Sequence, residues 1–234
     1  QLLTNVRSGN CTQNCAYCAQ SKDSQAEIEK YKRVSDEKLY GDNDLVDEKH
    51  LARHCIGLSG IGFSDEEIED LADRIREMKK KDTQICCSIG FLTEKQARIL
   101  KDAGLDRINH NLNSSRSFYP EICTTHTYDQ RVNNIKMLQS LGFEICSGGI
   151  VGMGESKEDV VDMLLDLKEI NPEAYEHEYL GVPNGDGGNV FEYLEIRDIT
   201  DEEISHMDRI FAGVDYGWYP DAFCYLRTYY DSAR

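Results

Sequence analysis

Segments with the pattern of β-strands alternate with segments with the pattern of α-helices along most of this chain. Apolar runs from Arg53 to Ser59 and from Thr83 to Ile89 are each followed by a helical pattern, the first from Ser64 to Lys81 and the second starting at Thr93. Alternation at this spacing predicts a parallel sheet, because a helix between two strands returns the chain to the end of the sheet at which the first strand began. The length and regularity of the series favour an α/β fold of the (β/α) TIM-barrel type over an open sheet.

The remaining segments extend the predicted series to about seven strands. Gln1 to Arg7 is the first expected strand, and the charge-rich stretch from Ala26 to His54 is expected to be helical with a break at Gly41 to Asp44. The other expected elements are, in chain order, a strand from Asp106 to Leu112, a helix from Tyr128 to Ser140, a strand from Phe143 to Ile150, a helix from Ser156 to Ile170, a strand from Ala174 to Leu180, a helix from Thr200 to Ala212 and a strand from Ala222 to Arg227. A closed barrel of this type has about eight strands, so we expect residues 1–234 to form a single, incomplete barrel domain that is open or is closed by a partner.

Acidic side chains outnumber basic ones by a wide margin. The chain of 234 residues has 43 Asp and Glu residues against 26 Lys and Arg, which gives a formal net charge of -17 at pH 7. Such a surface repels phosphate backbones and anionic lipid headgroups, so we expect neither nucleic-acid nor membrane partners. The sequence contains no run of about 18 apolar residues and does not open with a signal-peptide pattern, so we expect a cytoplasmic protein.

Three cysteines lie close together near the start of the chain, at Cys11, Cys15 and Cys18, with Tyr17 just before the last of them. A short loop with this C-x3-C-x2-C spacing can turn all three sulfurs towards one point, which suits a soft metal centre and leaves one coordination position for another ligand. Structural zinc usually takes four protein ligands, often from two Cys-x2-Cys pairs, and this loop does not have that pattern. The loop therefore predicts a metal site with an open position.

The chain has nine cysteines, and several of the others fall on predicted strands. The strand cysteines are Cys55, Cys86, Cys87 and Cys146. Adjacent side chains of a strand point to opposite faces, so only one of Cys86 and Cys87 can face a barrel interior. A single buried cysteine is most often a small apolar core residue, but thiols on several strands of one barrel could bracket a second metal cluster. Cys123 falls in a loop and Cys224 on the last strand.

Three asparagines follow one another along one predicted strand, at Asn109, Asn111 and Asn113, and share one face of it. Each carboxamide offers two donors and an acceptor, so inside a barrel the three could bind a ribose, an amide or a urea. A hydrated strand end explains the same pattern, and spacing alone does not decide between the two. The glycine-rich turn from Gly148 to Glu155 lets a ligand approach the backbone, and it does not fit the dinucleotide-binding fingerprint.

Several of these stretches resemble a known family. The loop from Cys11 to Cys18 is similar to the cluster loop of radical S-adenosylmethionine (SAM) enzymes, and three later stretches resemble more narrowly the biotin synthase family. The later stretches run from Asn109 to Leu112, from Ser117 to Tyr128 and from Cys146 to Glu155. The similarity is dense from Asn10 to Ser21 and from Thr83 to Ser156, and thin elsewhere.

The resemblance implies a TIM-type barrel in which Cys11, Cys15 and Cys18 hold a [4Fe-4S] cluster and SAM takes the open iron position. Reductive cleavage of SAM would produce a 5'-deoxyadenosyl radical, and this radical would take hydrogen from dethiobiotin. An auxiliary iron-sulfur cluster, [2Fe-2S] or a variant of it, would donate the sulfur. The resemblance also implies an electron donor protein as a partner, and it leaves a homodimer open.

Further roles follow from the resemblance position by position. Asn109 would contact the dethiobiotin ring, Asn111 and Asn113 would hold the ribose of SAM, and Tyr17 would belong to the cofactor site. Arg53 would lie beside the auxiliary cluster, and Cys123 is a reserve ligand. The implied ligands of the auxiliary cluster are Cys55, Cys86, Cys146 and Arg227.

The sequence departs from the family at a few positions. Asn113 stands where the family has an acid, and Ile56 to Gly60 suits a second branch of biotin synthases with a different auxiliary cluster. Tyr175 to Glu178 and Asn184 to Gly188 replace an asparagine-rich strand and a Gly-Thr-Pro turn. The altered sixth-strand region and Asn113 favour one alternative, a related radical SAM enzyme that acts on a different small molecule. A structural metal-binding protein without catalysis is a separate alternative.

Overall fold

Five parallel strands form one sheet in which the spatial order follows the chain order. The computed structural model of the chain describes residues 1–182, 200, 202, 210–215 and 224–229. The strands of the sheet are β1 (Leu2–Arg7), β2 (His54–Leu58), β3 (Ile85–Ser88), β4 (Arg107–Asn109) and β5 (Glu144–Cys146). This order confirms the predicted α/β class, because each strand lies beside the next one along the chain and runs parallel to it.

Helices connect the strands, and most of them begin where the sequence predicts. They are α1 (Asp36–Glu48), α2 (Asp65–Met78), α3 (Glu94–Asp102), α4 (Tyr119–Ile122), α5 (Tyr128–Ser140), α6 (Lys157–Ile170) and α7 (Pro172–Leu180). A capping box, in which the N-cap and N3 side chains bond each other's backbone, opens α2, α3, α5 and α6. Each such N-cap contributes about 1 kcal/mol, so these starts are specified locally.

The hydrophobic core lies on one face of the sheet. Ile56, Cys87, Ile108 and Ile145 stand in register on neighbouring strands, and all four are buried in the same apolar cluster. The helices contribute their apolar faces to this cluster, for example through Ile68 of α2. Burying a side chain of this size is worth about 1.5–3 kcal/mol, so this face supplies much of the stability.

The opposite face of the same strands is polar. Two rows of side chains cross it: the first row contains Cys55, Cys86, Arg107 and Glu144, and the second contains Asn5, Gly57, Ser88, Asn109 and Cys146. Since strand side chains alternate between faces, this polar inner face is the surface that a (β/α) barrel turns towards its interior.

The predicted break in the middle of α1 is wrong, because the helix runs without interruption through the Gly-Asp-Asn-Asp stretch. Two of its polar side chains find tertiary partners. The Asp42 carboxylate accepts a hydrogen bond from Thr4 at 2.6 Å, and the Asn43 amide donates to the carbonyl oxygen of Met78 at 3.2 Å. These contacts favour the helix where local propensity favours a turn. The stretch from residue 26 to residue 34, predicted to be helical, contains no helix.

The predicted strand from Ala174 to Leu180 is also wrong, because these residues belong to α7. Pro172 occupies the first helical position, where its missing N–H would have no intrahelical partner anyway. The backbone N–H of Tyr175 donates to the carbonyl of Asn171 at 3.0 Å, which closes the first turn.

The chain divides into two units, Gln1–Asn184 and Gly185–Arg234. Within the second, β6 (Ile210–Asp215) and β7 (Cys224–Tyr229) form an antiparallel pair. The predicted helix from Thr200 to Ala212 is wrong in its last residues, which belong to β6. Residue 201 and residues 203–209 lie outside the described part. The strand predicted from Ala222 to Arg227 overlaps β7, but it pairs antiparallel with β6 and so is not the parallel strand that was expected.

None of the described helices is both long and apolar enough to cross a membrane.

Candidate active site

A cavity of about 280 Å³ lies at the carboxyl ends of the parallel strands, on the polar inner face. The residues that follow β2, β3 and β4 line one side of it, and the loop after β1 lines another. Its walls include the three loop cysteines and the three asparagines singled out in the sequence: Cys11, Cys15, Cys18, Asn109, Asn111 and Asn113. Ligand sites of (β/α) barrels lie at this end of the strands.

The cysteine loop leaves β1 through a tight turn. Gly9 and Asn10 both have left-handed backbone angles, with φ of 76° and 56°, as the predicted turn at this point requires. Cys15 is buried, whereas Cys11 and Cys18 are half-buried. The backbone N–H of Cys18 donates to the carbonyl of Cys15 at 3.2 Å, which folds the loop back on itself. All three thiols therefore border one cavity.

A second segment of the chain, Ile122 to His126, holds this loop in place. The backbone N–H of Ala16 donates to the carbonyl of Ile122 at 2.9 Å. The amide oxygen of Asn14 accepts hydrogen bonds from the backbone N–H groups of Thr124 at 3.0 Å and of Thr125 at 3.3 Å. These contacts fix the cysteine loop on the short connection between α4 and α5.

His126 extends this support through its ring. Its Nε2 accepts hydrogen bonds from the hydroxyl of Tyr119 at 2.9 Å and from the guanidinium of Arg131 at 3.0 Å. Because Arg131 can only donate, the ring proton is assigned to Nδ1, which donates to the side-chain oxygen of Gln13 at 2.9 Å. Burial, followed by the charge of Arg131, lowers the pKa of His126 to about 4, so the ring is neutral near pH 7. Arg131 also donates to the backbone carbonyl of Asn111 at 3.1 Å and so joins the cysteine loop to the segment that follows β4.

The described residues contain one group of three metal-type side chains whose ligand atoms lie within 4.8 Å of one another: Cys15, Cys123 and His126. The sulfurs of Cys15 and Cys123 are 3.7 Å apart. Burial raises the pKa of Cys15 to about 12, and the neighbouring Cys123 adds to the effect. The structure thus places Cys123 beside the first cysteine loop.

The strand cysteines form a second group of thiols. Cys55 and Cys86 are register partners on neighbouring strands, and Cys146 lies on the same face one row nearer the cavity. Burial raises the pKa of Cys86 to about 12, and the proximity of Cys55 and Cys146 adds to the rise. Cys87 points the other way into the apolar core, as strand alternation requires.

Cationic and amide groups surround this second group. Arg53 and Arg107 lie near enough to Cys86 to counter part of the rise in its pKa. The Nε of Arg53 is buried without a hydrogen-bond partner among the described residues. The Asn109 amide donates to the sulfur of Cys146 at 3.7 Å. Arg227 lies on β7, and its side chain is outside the described part of the chain.

The three asparagines belong only partly to a strand. β4 ends at Asn109, so it is shorter than the predicted strand, and Asn111 lies beyond its end. Asn113 has a left-handed φ of 71° and pairs with Gly149 in an isolated parallel bridge. Asparagine tolerates this conformation better than most residues. All three nevertheless line the same cavity.

Sequence reasoning missed several residues of this site. No local sequence pattern marks them, because their contacts are not local. Contacts that span 100 residues or more involve Gln13, Asn14 and His126, and a contact from the surface of α5 involves Arg131. His110 also lines the cavity, and burial lowers its pKa to about 3. The stretch from Ser117 to Tyr128, quoted for its family resemblance, was the available signal for His126.

The donor set suits iron-sulfur clusters. Three thiols border one cavity, and a second group of thiols stands on the adjacent sheet face with two guanidinium groups beside it. Burial raises the pKa of Cys15 and of Cys86 to about 12, so each sulfur reaches its thiolate form most easily when a cation binds it. Iron-sulfur clusters are held by cysteine thiolates, so these residues would suit such clusters.

The fold and this site define a radical SAM protein. The sequence profile of the radical SAM superfamily matches residues 5–167, so the chain belongs to that superfamily. Its cofactors are accordingly a [4Fe-4S] cluster and S-adenosylmethionine.

Curated relatives narrow the comparison further. The chain is 42% identical over 173 residues to the biotin synthase of Rhodopirellula baltica, and 39% identical over 185 residues to that of Bacillus subtilis. These matches cover 74% and 79% of this chain, and 48% and 55% of the relatives. The chain therefore spans about half the length of the curated relatives it matches.

Solved structures agree on the fold. Methylornithine synthase superposes with a TM-score of 0.62 at 15% identity, over 73% of this chain and 50% of that one. The FeFe-hydrogenase maturase from Carboxydothermus hydrogenoformans superposes with a TM-score of 0.60 at 21% identity, over 77% and 42%. These likenesses support the partial (β/α) barrel and carry no statement about substrate.

Proposed function

We propose that this chain belongs to a biotin synthase, which inserts sulfur into dethiobiotin by radical chemistry. The observation that carries the proposal is the second group of thiols, Cys55, Cys86 and Cys146, on the inner face of the sheet that also bears the first cysteine loop. An auxiliary cluster held by these thiols would be the source of the inserted sulfur. The identity to curated biotin synthases points the same way.

The first cluster would be held by Cys11, Cys15 and Cys18. When bound, the two clusters and SAM supply a 5'-deoxyadenosyl radical and a sulfur atom. The chain's own contribution is position: Asn14 and His126 fix the loop on its neighbouring segment, and Cys15 is buried within it.

SAM would lie along the segment that contains Asn109, Asn111 and Asn113. Asn111 and Asn113 line the cavity beside the cysteine loop, and their carboxamides can donate to and accept from the two ribose hydroxyls. Asn113 supplies a neutral acceptor where the family has an acid, so its hydrogen bond would be weaker by about 1 kcal/mol. The hydroxyl of Tyr17, which bonds Cys15, closes the cofactor end of the cavity.

Dethiobiotin would lie between the two groups of thiols. Asn109 lines the cavity and donates to the sulfur of Cys146, so one amide stands at the boundary of both groups. A urea ring presents the donors and acceptors that such an amide complements. Asn109 would therefore orient the substrate towards the sulfur-donating side.

The auxiliary cluster would be held by Cys55, Cys86 and Cys146, with Arg227 as the fourth ligand by family resemblance. The guanidinium groups of Arg53 and Arg107 would offset part of the negative charge of the bound cluster. The unpartnered Nε of Arg53 is a donor that this site can use.

We extend the proposal to the setting of the enzyme. Residues 1–234 would form one radical SAM barrel domain, with an electron donor protein as a partner and a homodimer as the proposed oligomeric state. The acidic net charge of -17 supports an enzyme without nucleic-acid or membrane partners, and a cytoplasmic location is part of the proposal.

A second candidate is a radical SAM enzyme that acts on a different small molecule. One observation favours it: Asn113 replaces the family's acid in the cavity. The cavity itself does not distinguish the two.

The test is anaerobic reconstitution of the full protein with iron and sulfide. Reductant, SAM and dethiobiotin are then added, and 5'-deoxyadenosine and biotin are measured by mass spectrometry. Both products are expected from the wild type, and neither from Cys15→Ala. Formation of 5'-deoxyadenosine without biotin would favour the second candidate. Absence of both products from a fully loaded protein would refute the proposal that the protein is a radical SAM enzyme.

Cys87→Ala is the matched control, because Cys87 neighbours Cys86 in the chain but lies in the apolar core. It should retain both products.

A further inference from the structure

We infer that Cys123 tunes the first cluster: its thiol donates a hydrogen bond to the ligand sulfur of Cys15 and so raises the reduction potential of the [4Fe-4S] cluster. The inference rests on the proposed role of Cys15 as a cluster ligand. Cys123 acts through Cys15, so it is a positioning residue and needs no contact with substrate.

The geometry places one sulfur against the other. The sulfurs of Cys15 and Cys123 are 3.7 Å apart, and the two residues are 7% and 3% exposed. Water is therefore a poor competitor for the contact. A cysteine that binds iron has no proton, so in the loaded protein Cys123 is the member of the pair that can donate.

Other acceptors near Cys123 are already engaged. The side-chain oxygen of Asn14, 3.5 Å from the Cys123 sulfur, accepts from Thr124 N, Thr125 N and Thr125 Oγ1 at 3.0–3.3 Å. The hydroxyl oxygen of Thr125, also at 3.5 Å, accepts from the backbone N–H of Asn14 at 3.2 Å. An anionic thiolate is a stronger acceptor than either oxygen, so the proton of Cys123 is best used at Cys15.

The competing explanation of the close approach of Cys15, Cys123 and His126 is that the three side chains bind a metal ion of their own. The hydrogen bonds of His126 argue against it. Arg131 donates to Nε2, which leaves the proton on Nδ1, the nitrogen 3.3 Å from the Cys123 sulfur. A protonated nitrogen cannot be a ligand, and the guanidinium nearby repels a cation.

The consequence for the cluster follows from charge. Hydrogen bonds to cluster sulfurs stabilise the reduced state, which carries more negative charge, more than the oxidised state. The contact therefore makes the cluster easier to reduce, and the step that needs an electron from the donor protein becomes more favourable.

The experiment is a redox titration of the reconstituted holoprotein, without dethiobiotin, for the wild type, Cys123→Ala, Cys123→Val and Cys123→Ser. The reduced [4Fe-4S] cluster is followed by electron paramagnetic resonance, and its signal is identified by its response to added SAM. At one applied potential, both donor-free variants should show about a tenfold lower ratio of reduced to oxidised cluster, which is about 59 mV for a one-electron couple. Cys123→Ser, which keeps a donor, should recover part of the loss.

Cys87→Ala is the control, since it removes a buried thiol from the other side of the sheet, and its ratio should equal that of the wild type. An unchanged ratio in iron-loaded Cys123→Ala or Cys123→Val would overturn the inference. Failure of both donor-free variants to load iron would overturn it as well, because Cys123 would then be needed for assembly. The proposed function is judged separately by the biotin formed by the wild type, so the two can fail independently.

Discussion

The two faces of the parallel sheet obey different rules. The outer face is mostly apolar, with Ile56, Cys87, Ile108 and Ile145 in register, and its buried polar residues Thr4 and His54 hydrogen-bond to each other. The inner face carries thiols, guanidinium groups and amides on the same strands. Burying polar groups costs stability unless they are satisfied, so a sheet built for stability alone would not choose them. The difference separates the residues that hold the fold from the residues that hold the site.

The largest expected contrast lies between two adjacent cysteines. Cys86→Ala should lose the iron and sulfide of the auxiliary cluster and all biotin formation, while Cys87→Ala should retain both. The reason is that Cys86 faces Cys55 and Cys146, whereas Cys87 faces the core. Iron and acid-labile sulfide are counted per chain after reconstitution. Equal iron content in Cys86→Ala and Cys87→Ala would contradict the claim that only the inner face of β3 binds a cluster.

Ile108→Ala tests the outer face. Ile108 is fully buried in the apolar cluster, and its truncation should lower the free energy of unfolding by about 2–5 kcal/mol. The measurement is urea unfolding of the cluster-free protein. Asn109→Ala, one residue along on the inner face, is the matched control and should change stability far less. A similar loss in both would show that the inner face also carries the fold.

Acid should weaken the support that His126 gives to the cysteine loop. Burial lowers the pKa of His126 from 6.5 to about 4, so the unfolded chain binds the proton more readily than the folded chain. The contribution of the neutral His126 to the free energy of unfolding is therefore fully present above pH 6.5 and is lost as the pH falls from 6.5 towards 4. His126→Gln should flatten this part of the curve of unfolding free energy against pH. A slope unchanged by the substitution would contradict the neutral, buried His126.

The smallest expected effect concerns the ribose contact. Asn113→Asp should tighten SAM binding by about 1 kcal/mol, several-fold in the dissociation constant, because a charged acceptor makes the stronger hydrogen bond. Aspartate tolerates the left-handed φ of 71° at this position about as well as asparagine. Calorimetric titration of the reconstituted protein with SAM measures the change. Asn133→Asp, at an exposed position of α5 that does not line the cavity, controls for the added charge.

Much of the fold could be predicted because its signals are local. The capping box of Thr93 and Gln96 marks the start of α3, and α5 has the predicted bounds, Tyr128–Ser140. Strand alternation correctly separates Cys86 from Cys87. The failures lie where tertiary contacts outweigh propensity, as for Asp42 within α1, or where a short polar segment has no clear period, as in α7.

The site could be predicted only in part, for a related physical reason. The cysteine spacing and the asparagine series are visible as patterns, and both line the cavity. The residues that hold the loop are not visible, because Asn14 meets Thr125 across 111 positions and His126 meets Gln13 across 113. Such contacts depend on where the barrel brings two loops together, which no window of sequence contains.

Hydrogen transfer from substrate tests the central claim most directly. The full, reconstituted protein is given dethiobiotin that carries deuterium at the carbons that gain sulfur, together with SAM and reductant. Deuterium should then enter the 5'-deoxyadenosine, and biotin should accumulate. Formation of 5'-deoxyadenosine without deuterium, from a protein loaded with both clusters, would contradict a site in which the inner face presents dethiobiotin to the radical.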